Sequence, residues 1–200
     1  MHPLGRNVSA LMDLIYLHGP PASGKLTIAR ELEARIGCGV FHNHLTIDLV
    51  KPFFAFDTEP FWRMVAEMRL AALRVATSND AGVVVYTSCY SHPTDLPFFE
   101  EMERIVGAAG GTIYPVYLQC SIEELERRIA NPDRVAQRKL RSVEGLRTER
   151  ARWNWVAVPR PECLAIATDG KTPATCADEI LERLSLSRPV ASLRRRDAQR

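Results

Sequence analysis

The run Gly19-Pro20-Pro21-Ala22-Ser23-Gly24-Lys25-Leu26-Thr27 carries the strongest chemical signal in the chain. A loop bounded by glycines can turn its backbone N–H groups inward on an anion, and a helix behind it adds the positive end of its dipole. Lys25 then supplies a point charge for the outer phosphates of a nucleotide. The pattern G-x-x-x-x-G-K-[ST] is met at Gly19, Gly24 and Lys25, but Leu26 stands at the hydroxyl position and Thr27 brings the hydroxyl one residue late. The N–H of residue 26 survives, because only proline lacks one. Thr27 can still touch a phosphate or a magnesium ion, and magnesium tolerates several waters in its shell. Pro20 and Pro21 stiffen the outer side of the loop. The plain alternative, a proline-glycine turn opening an ordinary helix, does not need the order strand, loop, helix that stands here.

A second group follows the next apolar run. His42, Asn43 and His44 stand at its end, with Asp48 four residues beyond His44. A neutral imidazole can accept a hydroxyl proton near pH 7. Strand alternation puts His42 and His44 on one face. If a helix begins at 43–44, His44 and Asp48 share its face, and Asp48 could orient His44, bind magnesium through water or act as the base. The plain readings are that Asn43 caps that helix and that one histidine is a buried, hydrogen-bonded residue. No Cys or third His sits at ligand spacing from this pair, so zinc is not expected.

A third group is basic: Arg127, Arg128, Arg134, Arg138, Lys139 and Arg141. Phosphoryl transfer develops charge on the γ-phosphate oxygens, and arginines that swing in can neutralise it. Arg134 and Arg138 are four apart and would point the same way on a helix. A solvated face paired with Glu123, Glu124 and Glu126 is the competing reading.

These groups need elements to carry them. Short apolar runs bounded by turn residues predict strands at 13–18, 39–42, 82–87, 112–119 and 163–168. Helical stripes lie between them: Ile28, Leu32 and Ile36; Phe61, Val65, Met68, Ala72 and Ala76 on a long helix near 59–79; Leu96, Phe99, Met102 and Val106; and Ala177, Ile180, Leu181 and Leu184. Ser121 with Glu124 three residues on predicts a capping box. Strands alternating with helices predict an α/β fold, a three-layer α/β/α sandwich around a five-stranded parallel sheet. The polar stretch 131–155 reads as a helical lid over the site. The strand 82–87 runs into Thr87 and Ser88 with no acid, which disfavours a motor or switch ATPase and favours a kinase, where positioning and electrostatics carry catalysis.

With 200 residues the chain suits one domain with a full core. We read 1–11 as a flexible leader, 12–185 as the domain and 186–200 as a disordered, Arg-rich tail. A net charge of +2 is too small to argue for nucleic acid. The five cysteines form no CxxC pair, which fits free thiols in a reducing cytoplasm. No apolar run is long enough to span a bilayer.

"GPPASGKLTIARELEARIG", "FHNH", "VVVYTSCYSHP" and "PVYLQCSIEELERRIANPDR" together resemble the small P-loop kinases of the AAA-type ATP-binding family, the shikimate-kinase-like and chloramphenicol-phosphotransferase-like group. The resemblance covers roughly 12–185. It implies strand order 2-3-1-4-5, ATP with Mg²⁺, and an arginine-bearing lid, with Arg128 at the family's L-x-x-R position counted from Leu125. "GPPASGKLT" is similar to the G-K-G-T loop of nucleoside monophosphate kinases, with Leu26 in place of the second glycine. Shikimate- and gluconate-type kinases carry Asp-x-Asp where His42, Asn43 and His44 stand, so shikimate itself is not implied.

The resulting expectation is an ATP-dependent phosphotransferase acting on a hydroxyl of a small-molecule acceptor. It would be a monomer or homodimer without nucleic-acid or membrane partners. The expected site is Lys25, His44, Asp48, Arg128, Arg134 and Arg138 for catalysis, Gly19–Thr27 for nucleotide, His42–His44 for acceptor, and Thr27 with Asp48 for metal. The alternatives are a nucleoside, nucleotide or polynucleotide-end kinase and a non-catalytic ATP-binding regulatory module. An RNA-associated protein using the basic tail is a third, marked by affinity that falls steeply with salt.

Overall fold

The computed structural model describes residues 12–79, 81–130 and 142–186. Five strands, β1 (Asp13–His18), β2 (Gly39–His42), β3 (Val83–Ser88), β4 (Ile113–Gln119) and β5 (Leu164–Ala167), form one sheet in the order β2-β3-β1-β4-β5. Every pairing is parallel. The expected architecture and strand order are both present. The helices are α1 (Lys25–Ile36), α2 (His44–Val50), α3 (Glu59–Ser78), α4 (Leu96–Ala108), α5 (Ile122–Ile129), α6 (Val143–Arg152) and α7 (Pro173–Arg183).

Both faces of the sheet are covered, which is why β1 reads as an unbroken apolar run. Ile15 and Leu17 point into a core shared with Ile28 and Leu32 of α1 and Ile180 of α7. Leu14 and Tyr16 point the other way, into a core with Leu73 of α3 and Phe99, Met102 and Val106 of α4. His18 ends β1 on that second face, fully buried, with its ring 5.1 Å from that of Tyr16.

Local signals close the elements. Ser121 Oγ accepts from the Glu124 N–H at 3.3 Å, half of the predicted capping box. Thr172 Oγ1 accepts from Thr175 N–H at 3.1 Å at the start of α7. Within the stretch read as a lid, α6 begins at Ser142, whose hydroxyl accepts from Gly145 N–H, and packs Leu146 against Leu125 and Ile129 of α5.

One stripe differs from the sequence reading. The buried side of α3 is Phe61, Val65, Arg69 and Leu73, while Ala72 is exposed. Strict four-residue spacing drifts the stripe around the helix, and it admits a charged residue that sequence reasoning assigns to solvent. The predicted leader, the tail from 187 and the lid segment 131–141 lie outside the described residues.

Candidate active site

The loop between β1 and α1 is built on backbone that few residues tolerate. Gly19 sits at φ +149°, where a Cβ would lie 2.8 Å from the Leu118 carbonyl oxygen of the neighbouring strand. Gly24 takes φ +93° immediately before α1, and Ala22 between them takes φ 69°. No side chain caps α1, and no acid stands in its first turn. Its first N–H groups therefore face the loop without a built-in negative partner. Ser23 Oγ is buried and has no hydrogen-bond partner among the described residues. Such a hydroxyl, in a loop that opens a helix, suits an incoming anion. Lys25 Nζ folds back, donating to the Gly19 and Pro20 carbonyls at 2.7 Å each.

This loop forms one end of a cavity of about 1080 Å³. Its lining brings Pro21 to Thr27 together with His42, Asn43 and His44 across the carboxyl ends of β1, β2 and β3. Parallel register produces this: His42 lies beside Thr87, and Thr87 beside Leu17, so the ends of three strands open on one crevice. Leu26 is half-buried and lines the cavity instead of joining the core, and Thr27 is exposed. Gly19 and Pro20 are buried and stand outside this lining.

His44 opens α2, and the His42 and His44 ring centroids are 6.4 Å apart. Asn43 occupies the cap position without a side-chain cap bond. Its carbonyl is used instead, accepting from Thr46 Oγ1 at 3.1 Å and from Arg69 at 3.3 Å. Arg69 also donates from Nε to Thr46 Oγ1 at 2.9 Å, and it is only 8% exposed. Asp48 lies on the same helix as His44 and pairs with Lys51 at 2.5 Å; of this ion pair it is Lys51 that lines the cavity. The two further acids near this side differ. Asp57 is held below its usual range by Trp62 and Arg152, whereas burial raises Asp95, which accepts from Ser91 N–H at 2.8 Å.

At the other end, Arg128 is wired in. Its guanidinium donates to Glu124 at 2.6 Å, to Thr168 Oγ1 at 3.1 Å and to the Thr168 carbonyl at 2.8 Å. Arg127 shares Glu124, and the two guanidiniums hold that carboxyl down at about 2. Arg128 thereby fastens α5 to the loop after β5, which supplies Thr168, Gly170 and Lys171 to the cavity. Arg134 and Arg138 lie outside the described residues.

A family model for the AAA domain matches residues 15–149. The chain belongs to that family. Its fold is the one seen in small P-loop kinases of known structure. A tunicamycin resistance protein from Deinococcus radiodurans superposes with TM-score 0.56 at 20% identity, over 88% of this chain and 99% of that one. APS kinase from Mycobacterium tuberculosis, solved with AMPPNP and APS, gives 0.58 at 17% identity over 88% and 99%. Shikimate kinase from Acinetobacter baumannii, solved with shikimate, gives 0.55 at 21% over 87% and 93%. No curated protein sequence matches the chain. This is a P-loop protein with the kinase arrangement of strands, and the loop, the β2 end and the α5–β5 corner surround one cavity.

Sequence reasoning missed Arg69, Phe56, Lys51, Glu149 and the loop 168–173. For Arg69 a signal existed: it stands four residues from both Val65 and Leu73 in a buried stripe. Phe56 and the 168–173 loop carry no motif, and only the folded chain brings them to the cavity. Among the described residues no helix is long and apolar enough to cross a membrane.

Proposed function

We propose that this P-loop protein transfers the γ-phosphate of ATP, with Mg²⁺, to a hydroxyl of a small-molecule acceptor lying near His42, Asn43 and His44. The observation that carries the reading is the shared cavity: the phosphate-type loop and the paired histidines line one crevice at the carboxyl edge of a parallel sheet.

The chain's residues divide the work. Amide groups of the loop and the first turn of α1 would hold the triphosphate, joined by the Ser23 hydroxyl and by Lys25 once it leaves the Gly19 and Pro20 carbonyls. Thr27 would offer one hydroxyl oxygen to magnesium, and Asp48, which stands outside the cavity lining and is paired with Lys51, would act only through water; a magnesium ion that keeps most of its waters fits so sparse a set. When bound, the ion would supply positive charge to offset that of the triphosphate. His44 stands as the group that takes the acceptor proton, with His42 and Asn43 orienting the hydroxyl and Asp48 as the alternative base. Arg128 positions the α5–β5 corner around the nucleotide, and Arg134 and Arg138 are proposed to meet the transferring group.

The test is ADP release from ATP across a panel of sugars, shikimate, nucleosides and aryl alcohols. Acceptor-dependent ADP formation with a phosphorylated product is the expected result. Tight ATP binding with no acceptor-dependent release by any member would make the chain a nucleotide-binding regulatory module instead.

A further inference from the structure

Phe56 lines the same cavity as Lys25 and His44, yet its side chain belongs to a residue 60% exposed. An exposed phenyl that is also held rigid calls for a ligand, because the fold gains little by fixing it. Here the fixing is extensive. Phe56 meets the ring of Phe61 at 5.3 Å and that of Trp62 at 5.6 Å, both edge to face. Phe61 is fully buried, and its own ring meets Trp62 at 5.1 Å and 89°.

The next residue, Asp57, takes φ 68°, a left-handed backbone that side-chain-bearing residues seldom adopt. It persists there because the carboxylate is gripped from two sides. Trp62 Nε1 donates to Oδ1 at 2.9 Å, and Arg152 of α6 donates to Oδ2 at 2.6 Å. Thr58 Oγ1 closes the same turn on the Ala55 carbonyl at 2.8 Å. Strain fixed by redundant contacts at a cavity edge is the pattern of a binding surface.

The two ends of the cavity also differ in chemistry. Toward the nucleotide corner the lining is Glu124, Arg127, Arg128, Thr168 and Lys171. Toward α2 it includes Ile47 and Phe56, with Lys51 drawn to Asp48. The same lobe, residues 45–62, also holds Leu45, Leu49, Phe53, Phe54 and Trp62 among the large apolar side chains left exposed.

We infer that Phe56, backed by Phe61 and Trp62, forms an apolar subsite that receives an aryl or comparably flat apolar group of the acceptor, whose hydroxyl lies at His42–His44. This rests on the proposed phosphotransfer at the same cavity and narrows its acceptor to an amphipathic alcohol. The apolar portion covers Phe56, and the reacting hydroxyl is directed inward by its attachment to that portion.

The experiment uses the full chain with AMPPNP and a matched pair of probes, phenyl β-D-glucoside and methyl β-D-glucoside, followed by calorimetry. The aryl member should bind at least about tenfold more tightly, the scale expected for covering one aromatic side chain. Phe56→Ala should abolish that preference without changing AMPPNP affinity, and Phe56→Leu should retain part of it. Equal affinity for the pair, no measurable binding of the aryl member, or a preference that survives Phe56→Ala would overturn the inference. So would self-association of the chain that Phe56→Ala abolishes, since a second copy would then cover the ring. ADP release on the same pair separates the two readings. Turnover of polar acceptors with no effect of Phe56→Ala would sink the subsite and leave phosphotransfer standing. Aryl-selective binding with no ADP release from any acceptor would uphold the subsite and sink phosphotransfer.

Discussion

Arg69 and Asn43 are joined across 26 residues of chain: the guanidinium donates to the Asn43 carbonyl at 3.3 Å. Through Thr46 Oγ1 it holds the next turn of α2 as well. A cation this buried is costly unless its donors are used, and here two of its donors fix the junction between β2 and α2. That junction sets the direction of His42 and His44. On the proposed function, Arg69 is thus a positioning residue for the acceptor side.

Arg69→Ala should therefore separate the two substrates. Acceptor KM should rise or turnover fall by tenfold or more, while AMPPNP affinity stays within about twofold, because no Arg69 contact reaches the loop. The melt should also drop, since the Asn43 carbonyl and Thr46 hydroxyl lose a charged partner at a cost of roughly 1–3 kcal/mol. Arg69→Lys should rescue stability better than kinetics, because the planar fork that serves two acceptors is gone. Equal losses in both substrates would reduce Arg69 to general scaffolding.

Lys25→Ala should remove transfer and leave the fold. Lys25 donates to the Gly19 and Pro20 carbonyls of the loop at 2.7 Å each, and its side chain is outside the core clusters of the described residues. The melting curve should be nearly unchanged without nucleotide, while the stabilisation that added ATP gives to the wild type should disappear. A variant still stabilised by ATP and still active would remove the loop from the mechanism.

His44→Ala and Asp48→Asn probe the proton. Both should lower turnover with little change in ATP binding if His44 takes the acceptor proton and Asp48 supports it. Because Asp48 is engaged with Lys51, its variant should show the smaller loss. Normal turnover in both would move the base elsewhere, and Asp95, whose carboxyl burial pushes up, is next to test.

Arg128 and Thr168 should act as one unit. The sequence reading sets Arg128 among residues meeting the transition state, but its three bonds to Glu124 and Thr168 tie it to the corner that carries Lys171 and Gly170. Arg128→Ala and Thr168→Val should each raise the ATP KM, and the double variant should be little worse than the worse single one, the mark of coupled residues. Additive effects would mean that the two act separately.

Much of this fold is legible in the residues because both sheet faces are buried. Burial on two sides writes each strand as an apolar run between turn residues, and the five runs match the strands to within a residue at every end. The loop is equally legible, since Gly19 and Gly24 answer backbone demands that leave little choice. Arg69 is not, because a charge inside a helical stripe reads as a solvated face until its acceptors, 23 and 26 residues away, are known. The same holds for Phe56, whose place at the cavity depends on a strained turn held by an arginine 95 residues further on.

His18 offers a test of the charge at the start of the loop. It ends β1 directly before Gly19, fully buried, and burial together with the nearby Lys25 charge lowers its pKa to about 3. Its Nδ1 finds no hydrogen-bond partner among the described residues, and Nε2 lies 3.7 Å from Cys163 Sγ. A neutral imidazole there leaves Lys25 as the cation at the loop. In the unfolded chain the same group titrates near its ordinary value of about 6.5. Between about 6.5 and about 3 the unfolded state therefore binds more protons than the folded one, so stability rises with pH in that window. The contribution is complete above about pH 6.5 and is lost as pH falls toward 3, with a slope approaching roughly 1.4 kcal/mol per pH unit. His18→Phe keeps the ring and removes the titration. Urea unfolding of both proteins at pH 7 and pH 5 should show the wild type losing about 2 kcal/mol more than the variant across that interval. Parallel losses would mean that His18 can be protonated in the folded state, and that the loop tolerates a second positive charge beside Lys25.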